Sequence, residues 1–101
     1  PESIDRMRTD QLNDVSRKDF ARFGKIGYGY GLGVRTLVDK EKSGSESPLG
    51  EFGWGGAAGA YALVDPENHL AIYYAQHVLG CEFVCREVQP RIRDLAYRML
   101  T

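Results

Sequence analysis

The sequence predicts an α+β fold: a short N-terminal helix, a three-stranded antiparallel meander and a C-terminal helix packed on the sheet. Three observations predict it. Apolar residues alternate with glycine over residues 27–38, which is the period of a strand. Turn residues separate two further strand-like runs at 51–64 and 69–77. After Gly80 the apolar residues recur at intervals of three and four, the period of an amphipathic helix.

Length and composition limit the class of protein. With 101 residues, 43% of them hydrophobic, the chain has the size of one domain or of a piece of one. The formal net charge is -1 and charges of both signs are mixed, so we expect neither a nucleic-acid partner nor an anionic membrane. No apolar run approaches the ~20 residues that span a bilayer, and the N-terminus lacks a signal-peptide pattern. We therefore expect a soluble chain.

The N-terminal segment is predicted to form a short helix over residues 1–12, because a proline and a serine begin it and acidic residues fall early. Residues 13–25 have no sustained period. The Ser-Arg-Lys-Asp sequence at 16–19 resembles a helix-start box. It permits one further turn that runs through Phe20 and ends at Gly24.

The stretch 27–38 is predicted to be one strand. Residues at every second position point to one face, while the other face is nearly bare glycine; the first set comprises Tyr28, Tyr30, Leu32, Val34, Thr36 and Val38. We interpret Tyr28 and Tyr30 as core packing. A dinucleotide-binding loop needs a strand before its glycines and a helix after them, whereas these glycines alternate inside a strand. We therefore expect no cofactor.

The remaining strands follow a polar loop. Residues 39–50 are charged and rich in Ser and Gly, which predicts a solvent loop longer than most hairpin connections. Asp65-Pro66-Glu67-Asn68 is predicted to be a turn between the strands at 51–64 and 69–77, with proline at the position whose φ it presets. The last strand has apolar residues on both faces, which is typical of a strand covered on both sides.

The C-terminal helix is predicted from an apolar stripe that must cover a sheet face. The stripe comprises Phe83, Val84, Val88, Ile92, Leu95, Ala96, Met99 and Leu100. We assign Arg91, Arg93 and Arg98 to the solvent face. The secure part begins near Pro90, and any earlier turn is kinked or separate.

The cysteines and histidines of the sequence are not spaced as in a metal site or a catalytic site. Cys81 and Cys85 lie four apart, a helical spacing that rarely gives disulfide geometry. With no second cysteine pair or histidine cluster nearby, we expect no zinc site and no other metal. His69 and His77 flank the last strand and are interpreted as surface or strand-end residues.

The glycine-rich stretch 51–61 is the candidate site. It contains the chain's one tryptophan, Trp54, and glycines lie in or beside it at positions 50, 53, 55, 56 and 59. Glycine inside a strand-like run often marks a close approach of a ligand or of another backbone. The alternative is a twisted or bulged strand without chemistry.

Four segments in order resemble the C-terminal part of the beta-lactamase-related serine hydrolases, which include class C beta-lactamases, DD-peptidases and esterases. They are Pro1-Glu2-Ser3 with Met7 and Gln11-Leu12, then residues 27–33, 53–59 and 64–68. The resemblance covers nearly the whole chain except 39–50. It implies that residues 1–101 form a single partial domain, a fragment of the beta-lactamase-like fold, of bacterial origin.

In that family a catalytic Ser and Lys lie on an SxxK helix, and a third motif, Lys-Thr-Gly or His-x-Gly, lies on a strand beside the site. Trp54-Gly55-Gly56 is similar to that third motif, as in some family esterases. The resemblance then makes the backbone N–H of Ala57 an oxyanion-hole donor. It makes Trp54 a wall of the acyl or alcohol pocket, with Gly55 and Gly56 letting substrate approach. Because tryptophan replaces a residue that can be cationic, an ester fits better than the carboxylate of a penicillin.

The reacting groups of that family are absent from this sequence. No Ser has a Lys three residues later, and there is no Gly-x-Ser-x-Gly, Tyr-x-Asn or Ser-x-Asn motif. The resemblance therefore implies a serine-hydrolase segment that forms part of a site for a small ester or amide, with the nucleophile supplied by other sequence. The chain alone is expected to be inactive.

A second hypothesis is a non-catalytic module that keeps the sheet and binds a ligand or peptide in the glycine-rich groove. An in-frame SxxK helix upstream of Pro1 would favour the enzyme, and a start codon there would favour the module. Because one helix on three strands leaves a sheet face and an edge uncovered, we expect the isolated chain to self-associate.

Overall fold

The computed structural model describes residues 1–22 and 26–100 and has an α+β architecture with an antiparallel sheet. A π-helical segment, Val84–Val88, precedes the last helix. In chain order the other elements are α1 (Glu2–Met7), α2 (Asp14–Arg22), β1 (Tyr28–Tyr30), β2 (Arg35–Leu37), α3 (Lys40–Ser43), β3 (Phe52–Gly55), β4 (Tyr61–Asp65), β5 (Leu70–Tyr74) and α4 (Gln89–Arg98). None of the helices in these described ranges is long and apolar enough to span a bilayer.

The sheet has five strands in the order β1-β2-β3-β4-β5, so the prediction of three strands is wrong, although the meander topology is confirmed. The predicted strand 27–38 is a hairpin. The Gly31 amide donates to the Val34 carbonyl at 2.8 Å, and Gly33 takes a φ of +89°, which favours glycine. The series Tyr28, Tyr30, Leu32, Val34, Thr36 and Val38 continues at every second position through the turn, and it therefore concealed the reversal.

The predicted strand 51–64 is a second hairpin, β3–β4. Its register pairs Phe52 with Val64 and Gly55 with Tyr61. The connection, residues 56–60, is named the glycine turn below. The next turn, at 65–68, lies where the sequence predicted it, because the Asp65 carboxylate accepts hydrogen bonds from the Glu67 and Asn68 amides at 2.9 and 3.1 Å.

The N-terminal helix is shorter than predicted and ends at Met7. The chain then runs beside β1: Leu32 N donates to Met7 O, and Gln11 N to Tyr30 O, both at 2.8 Å. A second helix does form, and it begins before the predicted box, since the Asn13 side chain accepts a hydrogen bond from the Ser16 amide at 2.8 Å. The predicted helix end at Gly24 lies outside the described residues.

Helix α4 packs on the sheet, and only part of the predicted apolar stripe is turned inward: Val84 is buried, and Val88, Ile92 and Ala96 are half-buried. Its buried residues are Gln89, Arg93 and Tyr97, each four apart, while Leu95 is 56% exposed and Met99 is 84% exposed. The assignment of Arg93 to the solvent face is therefore wrong; the side chains of Arg91 and Arg98 are exposed as predicted. The residues beneath α4 are themselves polar, which explains why a polar helix face is buried. The π-helical segment before Pro90 agrees with the predicted separate turn.

The polar residues beneath α4 form a buried network. The Glu51 carboxylate accepts hydrogen bonds from Tyr28 Oη at 2.6 Å and Ser47 Oγ at 3.2 Å. Its second oxygen lies 3.7 Å from Arg35 Nη2, which also donates to Tyr61 Oη at 2.8 Å. Arg93 Nη1 donates to Tyr28 Oη at 3.3 Å. The buried polar network thus comprises Tyr28, Arg35, Ser47, Glu51, Tyr61 and Arg93.

The loop 39–50 takes part in this core, which corrects the prediction of a solvent loop. It contains the short helix α3, and its serines Ser45 and Ser47 are buried and hydrogen-bonded to each other. Arg8 Nη1 donates to Gly50 O at 2.9 Å and ties the end of the loop to the N-terminal segment.

The opposite sheet face is exposed over β4 and β5 in the described residues, so the prediction that the last strand is covered on both sides is wrong. Toward β2 the same face is covered, since Phe52 is 5% exposed and its partner Thr36 is 4% exposed. The strand register places Trp54, Ala62, Val64, Ala71 and Tyr73 on this face. Tyr73 is 75% exposed, whereas Ile72 and Tyr74 point the other way and pack on the core. These five residues are called the open face below.

Replacing Glu51 by alanine is expected to lower the free energy of unfolding by about 3–5 kcal/mol, because it leaves the buried Arg35 without its counter-charge. Urea unfolding followed by circular dichroism measures the change. The control is Glu46→Ala, which removes the partly exposed ion pair with Arg98 and should cost less than about 1 kcal/mol. Equal losses in the two variants would contradict the network.

Asp65 should make stability depend on acidic pH. Burial would raise the pKa of its carboxyl, but hydrogen bonds from Asn68, Tyr97 and the Glu67 amide hold that pKa below its ordinary value. A lowered folded-state pKa adds stability above the unfolded pKa of about 4, and this stability is lost as the pH falls through the folded value.

The free-energy difference between the wild-type chain and Asp65→Asn should therefore be largest near neutral pH and shrink below about pH 4. Urea midpoints measured across that range test this, with the exposed Asp14→Asn as control. A difference that is independent of pH would show that the Asp65 charge does not stabilise the fold.

Candidate functional site

Trp54 lies on β3 with its side chain on the open face, away from α4. Two rings flank it: Phe20 from α2 stacks at a centroid distance of 6.3 Å and 17°, and Tyr30 from β1 meets it edge-on at 5.4 Å and 69°. Phe20 and Tyr30 also contact each other, at 5.8 Å. These distances lie in the favourable range for aromatic pairs. We call Phe20, Tyr30 and Trp54 the aromatic cluster.

The cluster holds the indole without burying it, since Trp54 is still 43% exposed. Sequence reasoning selected Trp54 but missed its two neighbours. Tyr28 is buried in the core as predicted, whereas Tyr30 is only half-buried and joins the cluster. Phe20 is 34 positions before Trp54, so only the packing of α2 on β1 brings the two rings together.

The other predicted site residues follow Trp54 directly. Gly55 ends β3 and is half-buried. Gly56 and Ala57 begin the glycine turn, and both are exposed. The turn is closed by hydrogen bonds from Gly56 N to Ala60 O at 2.9 Å and from Gly59 N to Gly56 O at 3.0 Å. Among the described residues none accepts a hydrogen bond from the Ala57 N–H. The structure thus places Trp54, Gly55, Gly56 and Ala57 in sequence along one rim of the sheet.

Two glutamines contact the glycine turn, and one of them is hydrogen-bonded to it. Gln89 of α4, only 4% exposed, donates from Nε2 to Gly59 O at 3.0 Å. A Cβ at Gly59 would overlap the Gln76 side chain, and Gly59 has a φ of +94°. The amide of Val78 donates to Ala58 O at 3.0 Å. Neither glutamine carries a sequence signal for this role, because both contacts join residues distant along the chain.

The glycines of the stretch 51–61 differ in what a side chain at each position would contact. A Cβ at Gly53 would overlap the Ala62 carbonyl of β4, so this glycine, like Gly59, is required by packing of the protein on itself. At Gly56 the nearest atom to an added Cβ is Ala60 Cβ at 3.6 Å, an ordinary contact. The alternative of backbone packing therefore accounts for Gly53 and Gly59, and it leaves Gly56 open to another explanation.

The remaining reactive residue types do not converge on the aromatic cluster. Ser45 and Ser47 belong to the network under α4. Cys81 and Cys85 are free thiols, and His69 and His77 are exposed just outside β5, as predicted. Within residues 1–22 and 26–100 no group of three or more His, Cys, Asp or Glu could hold a metal ion. The site therefore offers an apolar wall and backbone donors.

Comparison with known proteins relates the chain to larger molecules. No family model matches it. Over 80 residues it is 36% identical to "Uncharacterized protein MT1414" and to "Protein Rv1367c", from two strains of Mycobacterium tuberculosis; the match covers 73% of this chain and 20% of each relative. The chain thus spans about a fifth of the length of these curated relatives.

Among solved structures the chain is similar to EstCE1, described as a hydrolase with promiscuous acyltransferase activity. The TM-score is 0.78 at 23% identity, and the match covers 96% of this chain and 24% of EstCE1. The chain therefore has the fold of part of a hydrolase, with the antiparallel sheet and the C-terminal helix in common.

Gln89→Ala should loosen the glycine turn, because the loss of one buried side-chain hydrogen bond costs about 1 kcal/mol or more. Amide hydrogen exchange at Gly56 and Gly59 is expected to accelerate at least about fivefold. Glu87→Ala, which removes a surface ion pair with Arg91, is the control. Unchanged exchange at both glycines would show that Gln89 does not support the turn.

Proposed function

We propose that this chain forms one wall of the active site of a serine hydrolase that transfers acyl groups from small esters or amides, and that other sequence supplies the nucleophile. The observation that carries the proposal is the exposed Trp54 indole beside the glycine turn, on a fold that matches part of a hydrolase. The sequence has no Ser followed three residues later by Lys, which fits a partial site.

In this proposal each residue of the rim has a separate task. Trp54 lines the pocket for the acyl or alcohol group, and Gly55 and Gly56 let the substrate lie against the strand. The Ala57 N–H stabilises the oxyanion of the tetrahedral intermediate. The turn that carries this N–H is closed by two backbone hydrogen bonds and supported by Gln89, so the donor needs little reorganisation as charge develops.

The charge of the site favours esters over beta-lactams. Trp54, Gly55, Gly56 and Ala57 are all uncharged, and a carboxylate pressed against the indole would lose hydration without gaining an ionic partner from them. A neutral ester loses far less. The proposed substrates are therefore neutral esters, with amides as the slower class.

The test compares residues 1–101 with the protein that includes the upstream coding sequence. The longer protein should hydrolyse p-nitrophenyl acetate and act poorly on nitrocefin, and residues 1–101 alone should act on neither. Ala57→Pro removes the N–H at a turn position that suits proline, so kcat of the longer protein should fall about 100-fold or more. Ala57→Ser keeps the N–H and is the matched control.

A longer protein that retains full ester hydrolysis with Ala57→Pro would remove Ala57 from the mechanism. If the longer protein hydrolyses neither compound, the hydrolase proposal is wrong, and a non-catalytic module that binds a ligand or peptide in the glycine-rich groove becomes the better description.

We also propose that residues 1–101 self-associate when isolated, through the open face or the terminal strand β5. The open face exposes Tyr73, and its strand has no neighbour on its outer side among the described residues. Light scattering should show mass rising with concentration, and Tyr73→Glu should reduce it. Leu95→Glu, on the outer surface of α4, should not. A wild-type chain that is monomeric at high concentration would contradict self-association.

A further inference from the structure

The Trp54 indole is supported from two directions by residues outside the glycine-rich stretch. Phe20 lies nearly parallel to it, and Tyr30 meets it at 69°. A stacked ring and an edge-on ring restrict different motions of the indole: the first opposes tilting and the second opposes sliding. An exposed tryptophan would otherwise exchange between rotamers within picoseconds to nanoseconds. We therefore expect the two ring contacts to restrict the motion of the Trp54 indole.

The supporting rings come from the N-terminal third of the chain, whereas the site itself lies near its middle. Phe20 lies on α2, whose start is set by Asn13, and Tyr30 ends β1, where its amide donates to Asp10 Oδ1 at 3.1 Å. The Asp10 carboxylate also pairs with Arg17 of α2. Asp10 therefore joins β1 to α2 and sets how far Phe20 reaches over the sheet.

We propose that Phe20 and Tyr30 are positioning residues that hold the Trp54 indole as a flat wall, and that this wall selects substrates with a planar aromatic acyl group. The proposal rests on the function proposed above and adds to it the substrate class and the residues that determine it.

The preference follows from the shape and charge of the wall. A planar ring can stack on the exposed part of the indole over its whole area, whereas a puckered aliphatic ring of the same size touches it at fewer atoms. Aromatic stacking adds to simple area burial by an amount that corresponds to about 2- to 12-fold in kcat/KM. An indole that is free to rotate would have to be ordered by each substrate, which removes part of this gain.

The first experiment uses Trp54 as its own reporter, because it is the one tryptophan among the 101 residues. In residues 1–101, at a concentration where light scattering shows a monomer, Phe20→Ala and Tyr30→Leu should shift the fluorescence emission to longer wavelength and lower its anisotropy, as the indole gains water and motion. Phe20→Leu keeps the bulk and the helix while removing the stacked ring. It should lower the anisotropy as well, so a folding defect cannot account for the change.

Two controls bracket this measurement. Tyr30→Phe keeps the edge-on ring and should leave the emission unchanged. Phe83→Ala removes an aromatic ring that is 61% exposed and lies outside the cluster, and it too should have no effect. Unchanged emission and anisotropy in both Phe20 variants would overturn the positioning role.

The second experiment measures substrate choice in the protein with its upstream sequence. p-Nitrophenyl phenylacetate and p-nitrophenyl cyclohexylacetate share a leaving group and differ in whether the acyl ring is planar. The phenylacetate should be preferred by about 2- to 12-fold in kcat/KM. The preference should vanish in Trp54→Leu and weaken in Phe20→Leu, through a rise in KM more than a fall in kcat. Phe83→Ala should retain it.

The two experiments separate the two proposals. If esters are hydrolysed but the planar ring is not preferred, or the preference survives Phe20→Leu, the specificity inference is wrong and the hydrolase function stands. If neither ester is hydrolysed, the function and the substrate class fail together. The fluorescence of residues 1–101 then decides by itself whether Phe20 and Tyr30 hold the indole.

Discussion

The buried carboxylate of Glu51 is the interaction on which the rest of the fold depends. It accepts hydrogen bonds from Tyr28 of β1 and from Ser47 of the loop 39–50, and it forms an ion pair with Arg35 of β2. Through Tyr28 it is joined to Arg93 on α4. Burying an unpaired carboxylate at this depth would cost much free energy of folding. The packing of each of these elements therefore depends on the packing of the others.

The same carboxylate explains the chemistry around it. Burial, together with the nearby Glu51 charge, raises the pKa of the Tyr28 phenol, which therefore stays protonated and acts as a donor. Arg35 lies over the Tyr28 and Tyr61 rings, at 5.5 and 4.7 Å, so the cation is solvated by aromatic faces as well as by its ion pair. A helix face with Gln89, Arg93 and Tyr97 suits such a surface better than leucine and methionine would.

The network also organises the opposite side of the sheet, where the candidate site lies. Helix α4 is held over the sheet by Arg93 and by Tyr97, whose hydroxyl donates to Asp65 at 2.7 Å. One turn earlier on the same helix, Gln89 reaches the glycine turn. The geometry of the exposed rim at Gly56 and Ala57 therefore depends on a buried polar layer that contains none of the proposed site residues.

Much of this could be predicted from local patterns. The α+β class, the meander, the turn after Asp65 and the helix from Pro90 all follow from periodicity, turn chemistry and composition. The strand count was not predicted, because Gly33 and Gly59 lie in turns inside two runs that were each interpreted as a single strand. The buried face of α4 was also missed, since a hydrophobicity pattern assigns arginine to solvent whatever lies across from it.

The sequence by itself determined the α+β class, the meander and the turn after Asp65, because period, proline and turn residues act within a few positions. Only the tertiary structure decided that Arg93 is buried, that Phe20 and Tyr30 flank Trp54, and that Gln89 is hydrogen-bonded to the glycine turn. Each of these contacts joins residues far apart in the chain, and its free energy depends on the partner that folding brings to it.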